Sequence, residues 1–379
     1  MNADLKYPGG FIEEAPTGVQ PITGVPTSIT AFIGAASRGR SYRAVRINSF
    51  GEFEQRFGGL IANCDLGYAV QQFFLNGGKE AWVVRVARQL TATKVIKGIH
   101  ALDAVDIFNL LVIPGVMNSE AASAAADYCR QRRAFLIVDA PKSAQTPTQM
   151  EQAVQNGSLP KTSYGAVYFP WIKISDPLNS GRLRLTPPAG SVAGLFARVD
   201  SSRGVWKAPA GTDADLVGVS ALSYNLKDSE NETLNALGVN CLRVFPTGTL
   251  AWGARTLQGA DASASEWKYI PIRRFALFLE ESIYRGIQWA VFEPNDEPLW
   301  AEIRLNVGAF LHNLFREGAF QGGTPHDAYF VKCDATTTTQ NDIDAGLVNV
   351  VIGFAPLKPA EFIILTISTK AGRRKNCYN

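Results

Sequence analysis

The spacing of hydrophobic and polar positions divides the chain into three stretches. The opening segment, YPGGFIEEAPTGVQPITGVPTS, holds four prolines and four glycines between short β-prone pieces at Phe11-Ile12, Val19, Ile22 and Val25. It has neither helical nor alternating periodicity. Proline is confined to strand edges and extended segments, so residues 1–27 are expected to form an extended arm. SITAFIGAASRG (28–39) is a continuous apolar run closed by a Gly/Ser turn, the pattern of a buried strand. Phe50, Phe53 and Phe57 then recur at spacings of three and four behind Asn48-Ser49. They predict an amphipathic helix stopped at Gly58-Gly59. A second helix over 67–75 and a strand over 81–87 follow.

From about residue 100 the pattern becomes strand–helix alternation. Strands are expected at 109–115, 134–141 and 164–174, with helices at 119–133 (Ser119 as N-cap) and 147–155 between them. Such βαβ-like units imply a mostly parallel sheet covered on both faces. Residues 187–200 read as a helix rich in small residues. The stretch 201–265 is loop-rich, with a short helix at 229–238 and a hairpin about Pro246-Thr247-Gly248.

Two longer helices come next, at 270–289 and 297–317. The second has Asn295 or Asp296 as cap, Pro298 in its first turn and one stripe from Trp300 to Leu314. The chain closes with strands at 328–335, 347–356 and 360–370, a short helix at 340–345 and a basic tail carrying Lys370, Arg373, Arg374 and Lys375. The expected fold class is α/β (α+β), a mixed sheet covered by helices with extended arms at both ends. The expected divisions are 1–27, 28–100, 101–200, 201–358 and 359–379.

Composition narrows the function classes. With 379 residues, 46% hydrophobic and 19% charged, the chain has mass for two packed lobes and too little charge for disorder. A net charge of +3 implies no nucleic-acid footprint. No run of 18 apolar residues predicts a membrane span, and the polar N-terminus carries no signal-peptide pattern. The five cysteines are scattered and form no CxxC pair, so reduced thiols are expected rather than a zinc site or a disulfide framework.

Catalytic chemistry finds little support. The three histidines, His100, His312 and His326, have no metal-ligand spacing. GAASRG (34–39) lacks both phosphate-loop spacings, and GSVAG (190–194) lacks the nucleophile-elbow pattern. Glu13-Glu14 and Glu280-Glu281 are adjacent pairs; neighbours on a helix diverge by about 100° and make poor acid/base partners. No catalytic, cofactor or metal residue is expected. SRGVWKAPAG and WKYIPIRR mix tryptophan with cations, a composition that fits a protein interface better than nucleic acid in a nearly neutral chain.

Several segments occur in an order that resembles phage tail sheath proteins. They are YPGGFIEE, SITAFIGAASRG, SFGEFEQRFGG and FFLNGGKEAWVVRV, then SRGVWKAPAG, TLAWGARTL, YIPIRR, WAVFEPNDEPLW and KPAEFIILTIS. The likeness runs over about 7–87 and 164–370. The chain is short, similar to the compact sheaths of extracellular contractile injection systems and phage-tail-like bacteriocins. The resemblance implies hexameric rings stacked around an inner tube, with an extended and a contracted state. It implies that Tyr7, Phe11, Ile12, Val19 and Ile22 and, at the other end, Phe362, Ile363, Ile364, Leu365 and Ile367 add strands to neighbouring subunits. The proline-rich start and β-prone end suit such β-augmentation on their own account.

It further implies tube contacts from the two long helices, for which Arg273, Arg274, Arg285, Arg304 and Arg316 are the candidates. Intramolecular pairing of these arginines is the competing expectation. Partners would be further copies of the chain, the inner tube, baseplate and tail-terminator proteins, with no cofactor, nucleic acid or membrane insertion. Assembly would take place in the bacterial cytoplasm. Two other readings are an α/β enzyme built on the 109–200 alternation and a non-contractile shell or adhesin subunit.

Overall fold

The computed structural model describes residues 21–87, 90–115 and 119–361. In chain order the strands are β1 (Thr30–Ala35), β2 (Ala44–Ile47), β3 (Ala81–Val86), β4 (Leu110–Val112), β5 (Phe135–Asp139), β6 (Gly165–Phe169), β7 (Ile172–Ser175), β8 (Leu183–Thr186), β9 (Val219–Leu222), β10 (Val239–Phe245), β11 (Gly248–Ala251), β12 (Tyr329–Lys332) and β13 (Val351–Phe354). The helices are α1 (Phe50–Phe57), α2 (Asp65–Leu75), α3 (Ala92–His100), α4 (Ser119–Gln131), α5 (Pro147–Gln155), α6 (Ala189–Arg203), α7 (Asp228–Ala236), α8 (Ile270–Gly286), α9 (Glu297–Arg316), α10 (Pro325–Ala328) and α11 (Gln340–Asp344).

Eight strands form one sheet in the order β11-β10-β6-β5-β4-β1-β3-β2. The pairings from β10 through to β3 are parallel, while β11 and β2 add antiparallel edges. All of β1 is buried because helices cover both faces. Successive side chains alternate sides. Thus Phe32, Leu110, Phe135 and Tyr168 pack with α1, α2 and α6, whereas Ile33, Leu111, Leu136 and Val167 pack with α3, α4, α5 and α7. The predicted mixed α/β sheet is the observed one, but it draws strands from both sides of residue 100, so the 28–100 and 101–200 segments share a single core.

Local chemistry accounts for most boundaries. Ser49 accepts from the Glu52 amide and caps α1, and Gly58, in the left-handed region, closes it. Thr146 and Gln149 form a reciprocal capping box on α5. The small residues of α6 have a packing purpose: a Cβ on Gly190 or Gly194 would collide with the backbone of Ala69 or Phe73 in α2. The predicted strand 164–174 is split into β6 and β7, and β7 joins β8 and β9 in a separate three-stranded sheet. The hairpin turn falls as expected, with Phe245 opposite Gly248.

The C-terminal part has its own core. Helices α8 and α9 run as an antiparallel pair, with Phe278 against Phe310 and Phe275 against Phe320, and their apolar faces close on β12–β13. Helix α8 also passes across the starts of the central strands. Arg273 lies over Tyr164 just before β6, Glu281 pairs with Arg133 just before β5, and Arg285 pairs with Asp106 just before β4. One helix therefore joins the two cores.

Candidate assembly surfaces

Each predicted tube-contact arginine has a defined environment. Arg274 is buried and forms a bidentate pair with Asp200 at 2.5 and 2.9 Å, both side chains being almost inaccessible. Its guanidinium also donates to the Thr27 carbonyl and lies 4.7 Å over the Phe196 ring. Arg273 is buried between Trp267 and Tyr164, its guanidinium 3.5 and 4.4 Å from the ring centres. Arg285 bonds Asp106 and Glu281. Arg304 bonds Glu297 at 2.6 Å and the Cys333 carbonyl. Only Arg316 of the five is exposed and without an ion pair among the described residues. For Arg273 and Arg274 the expectation of a surface charge is corrected: desolvated cations held by rings or a carboxylate of the same chain belong to the lobe junction.

Of the predicted arm residues, Ile22 is described, and it is buried against α8, its side chain filling the space beside Gly286. It ties the start of the described chain to α8. Tyr7, Phe11, Ile12 and Val19, and Phe362, Ile363, Ile364, Leu365 and Ile367, lie outside the described residues.

Sequence reasoning missed the strongest polar cluster, which holds Glu361, the last described residue. Arg255 follows β11 and is almost wholly buried. It donates to both oxygens of Glu361 (2.8 and 2.7 Å), to Asp261 (3.0 Å) and to the Asn235 carbonyl (2.7 Å). Tyr269 also donates to Glu361 at 3.2 Å. Burial pushes the Glu361 carboxyl up, but the paired Arg255 guanidinium outweighs it and holds the group below its usual range. The motifs TLAWGARTL and KPAEFIILTIS thus meet at one point, which nothing in their local patterns announces. Beside them opens a cleft of about 880 Å³, bordered by Trp206, Trp252, Pro271, Leu357, Lys207 and Lys358.

The small β12–β13 sheet stands apart from the central one. It holds two short strands, with Phe330 and Val351 half exposed. The margins of the central sheet are covered or short. The segment 211–216 bonds along β11, and β2 is a four-residue edge carrying Arg46.

The crevice at which open α/β sheets take ligands lies beyond the strand C-termini, where strand order reverses, here between β4 and β1. The α6 N-terminus beside it is capped from within: the Asp139 carboxylate accepts from the Ala189 amide (2.8 Å) and from the Gly115 amide (3.1 Å). Burial raises this carboxyl to about 7, against the pull of those two bonds. A phosphate would find that helix end taken. Among the described residues no group of three or more His, Cys, Asp or Glu side chains could hold a metal ion, and no helix is long and apolar enough to cross a membrane.

Fold and surfaces together define an assembly subunit, in which the organised chemistry sits at the junction of the two cores and at the Arg255–Glu361 cluster. The chain belongs to the contractile tail sheath family, whose members are structural proteins rather than enzymes. The phage tail sheath protein central domain matches residues 89–257, and the phage tail sheath C-terminal domain matches 262–370. The sheath of an extracellular contractile injection system (PVC) in the contracted state is similar with TM-score 0.79 and 32% identity, over 97% of this chain and 99% of that one. The contracted helical sheath of the anti-feeding prophage gives 0.77 and 26%, over 96% and 99%. Among curated proteins, the tail sheath protein of Vibrio phage KVP40 is 28% identical over 221 residues, 58% of this chain and 31% of the relative. That of Enterobacteria phage T4 is 25% identical, over 50% and 28%. The match thus spans about a third of the length of these curated phage relatives.

Proposed function

We propose that this protein polymerises as stacked hexameric rings around an inner tube and contracts to drive that tube through a target envelope. The observation that carries the reading is full-length likeness to a contracted injection-system sheath, joined to an open two-stranded sheet and arm roots anchored at Ile22 and Glu361. Two strands alone are marginal, so added main chain from neighbouring arms would complete β12–β13 by β-augmentation. Residues 1–20 and 362–370 are the segments that would supply it.

Partners are further copies, the tube protein, baseplate and tail-terminator proteins, met in the bacterial cytoplasm where assembly takes place. Arg316 is the remaining candidate for tube contact, with Arg304 second. Screened surface pairs are worth about 1 kcal/mol or less each, which would hold collectively and still release on firing. The two cores would move together as one block, because α8 ties them.

The test is co-expression with the tube protein and electron microscopy, comparing full-length chain with a variant lacking residues 1–20. Full-length chain should form tubes with two lengths of repeat, extended and compressed, and the truncated chain should stay folded without forming arrays. Protomers that never assemble, or a truncated chain that assembles and contracts normally, would overturn the reading.

A further inference from the structure

The tip of the α8–α9 pair carries an aromatic side chain in an unusual state. Phe292 is fully exposed, at 103% relative accessibility, and its φ is +73°, a conformation that bulky residues rarely adopt. Val291 beside it is also exposed. The tip is nevertheless built firmly: Asn295 donates to the Leu347 carbonyl (2.9 Å) and accepts from the Trp300 indole (2.9 Å). A costly backbone state that the surroundings enforce in order to present an apolar ring points to function. Glu293 and Asp296, one and four positions further along the chain, are exposed carboxylates.

The base of the same helix pair offers the complement. The 880 Å³ cleft beside Pro271 at the start of α8 is walled by Trp206, Trp252 and Leu357. Exposed Lys358, and Lys207 whose ammonium donates to the Ala208 (2.8 Å) and Ala210 (3.4 Å) carbonyls, stand at it without a carboxylate in ion-pair range, against the single uncommitted carboxylate of Glu317. Arg203 is engaged with Asp213, and Glu361 with Arg255. An acidic apolar knob and a basic apolar cleft thus lie at opposite ends of a 17-residue helix, about 25 Å apart at the usual rise per residue.

We propose that Phe292 plugs the tip-to-base cleft of a second copy of this chain, with Glu293 and Asp296 meeting Lys207 and Lys358. No chain reaches its own cleft across that distance. The contact is therefore heterologous, and repeated head-to-tail contacts of this kind generate rings or helical arrays. This plug rests on the sheath reading but is separate from strand exchange, since it uses side chains of a rigid tip and no terminal arm.

The test uses full-length chain assembled with its tube protein. A Phe292→Cys, Ala208→Cys double variant is oxidised in the assembled array and run without reductant. A ladder of dimers, trimers and longer species that needs both new cysteines supports the plug. Arrays visible by electron microscopy with no ladder would overturn it, as would a ladder from Phe292→Cys alone or a cross-link to the tube protein instead. In parallel, Phe292→Gly should fold at least as stably as wild type, because glycine accepts the positive φ. It should raise the concentration needed for array formation at least about tenfold, the loss of one interface hot spot. Assembly at the wild-type concentration would overturn the inference. Failure of the wild-type chain to assemble would instead strike at the sheath reading itself.

Discussion

Removing the Glu361 carboxylate isolates its clasp with Arg255. The Arg255 guanidinium is about 1% exposed and makes two of its short bonds to Glu361, whose side chain is 16% exposed. Stripping one partner from a buried pair costs about 3–5 kcal/mol when the remaining charge is uncompensated. Asp261 stays at 3.0 Å but is half exposed and compensates in part. Glu361→Ala should therefore lower stability by about 2–3 kcal/mol, and Glu361→Gln, which keeps one acceptor, by about 1–2 kcal/mol. The assay is urea unfolding at neutral pH, reading the midpoint at unchanged slope. In a cycle of Arg255→Met, Glu361→Met and the double variant, the double variant should recover at least half of the single-variant losses. The folded Glu361 carboxyl lies below its usual value of 4.5. Its contribution is thus present above that value and lost as pH falls through the folded pKa, so wild type and Glu361→Gln should converge in acid. A loss below about 0.5 kcal/mol, or no coupling in the cycle, would refute the clasp.

Three more outcomes follow from other contacts. Asp139, raised from 3.8 to about 7 by burial, makes its contribution below the lower value and loses it as pH rises through the upper one. Wild-type stability should thus fall by roughly 2–4 kcal/mol between pH 4 and 8 from this group, a slope that Asp139→Asn should flatten in thermal melts. Arg274→Ala should cost about 3–5 kcal/mol in denaturant unfolding, whereas Arg316→Ala should stay within about 0.5 kcal/mol and act, if at all, on tube co-sedimentation. Gly190→Ala should drive a methyl into the Ala69 backbone and cost about 1–3 kcal/mol, read as a lower Tm.

The central sheet was legible in the chain because its strands and helices carry local signals: apolar runs at 28–39 and 134–141, phenylalanines three and four apart in α1, a capping box on α5. Helix α3 and the edge strand β2 were missed. The first has no side-chain cap bond, and the second is four residues whose burial comes mainly at Ile47. Arginine roles were the least readable. Arg273, Arg274 and Arg285 look like surface charge in a helical repeat, and what commits them is Tyr164, Asp200 and Asp106, each far away in sequence. Glu361 and Arg255 are 106 positions apart, and Phe292 gives no signal beyond a hydrophobic letter in a loop.

The unequal treatment of the sheet edges has a consequence for quality control. An eight-stranded sheet with two bare margins would let any stray extended segment dock on the body of the protein. Here one margin is occupied by residues 211–216 and the other is short and carries arginine, while β12–β13 stands open in a separate, smaller unit. An extended segment wrongly seated on that small unit would perturb two short strands and leave the large core intact, so it would dissociate without unfolding the subunit.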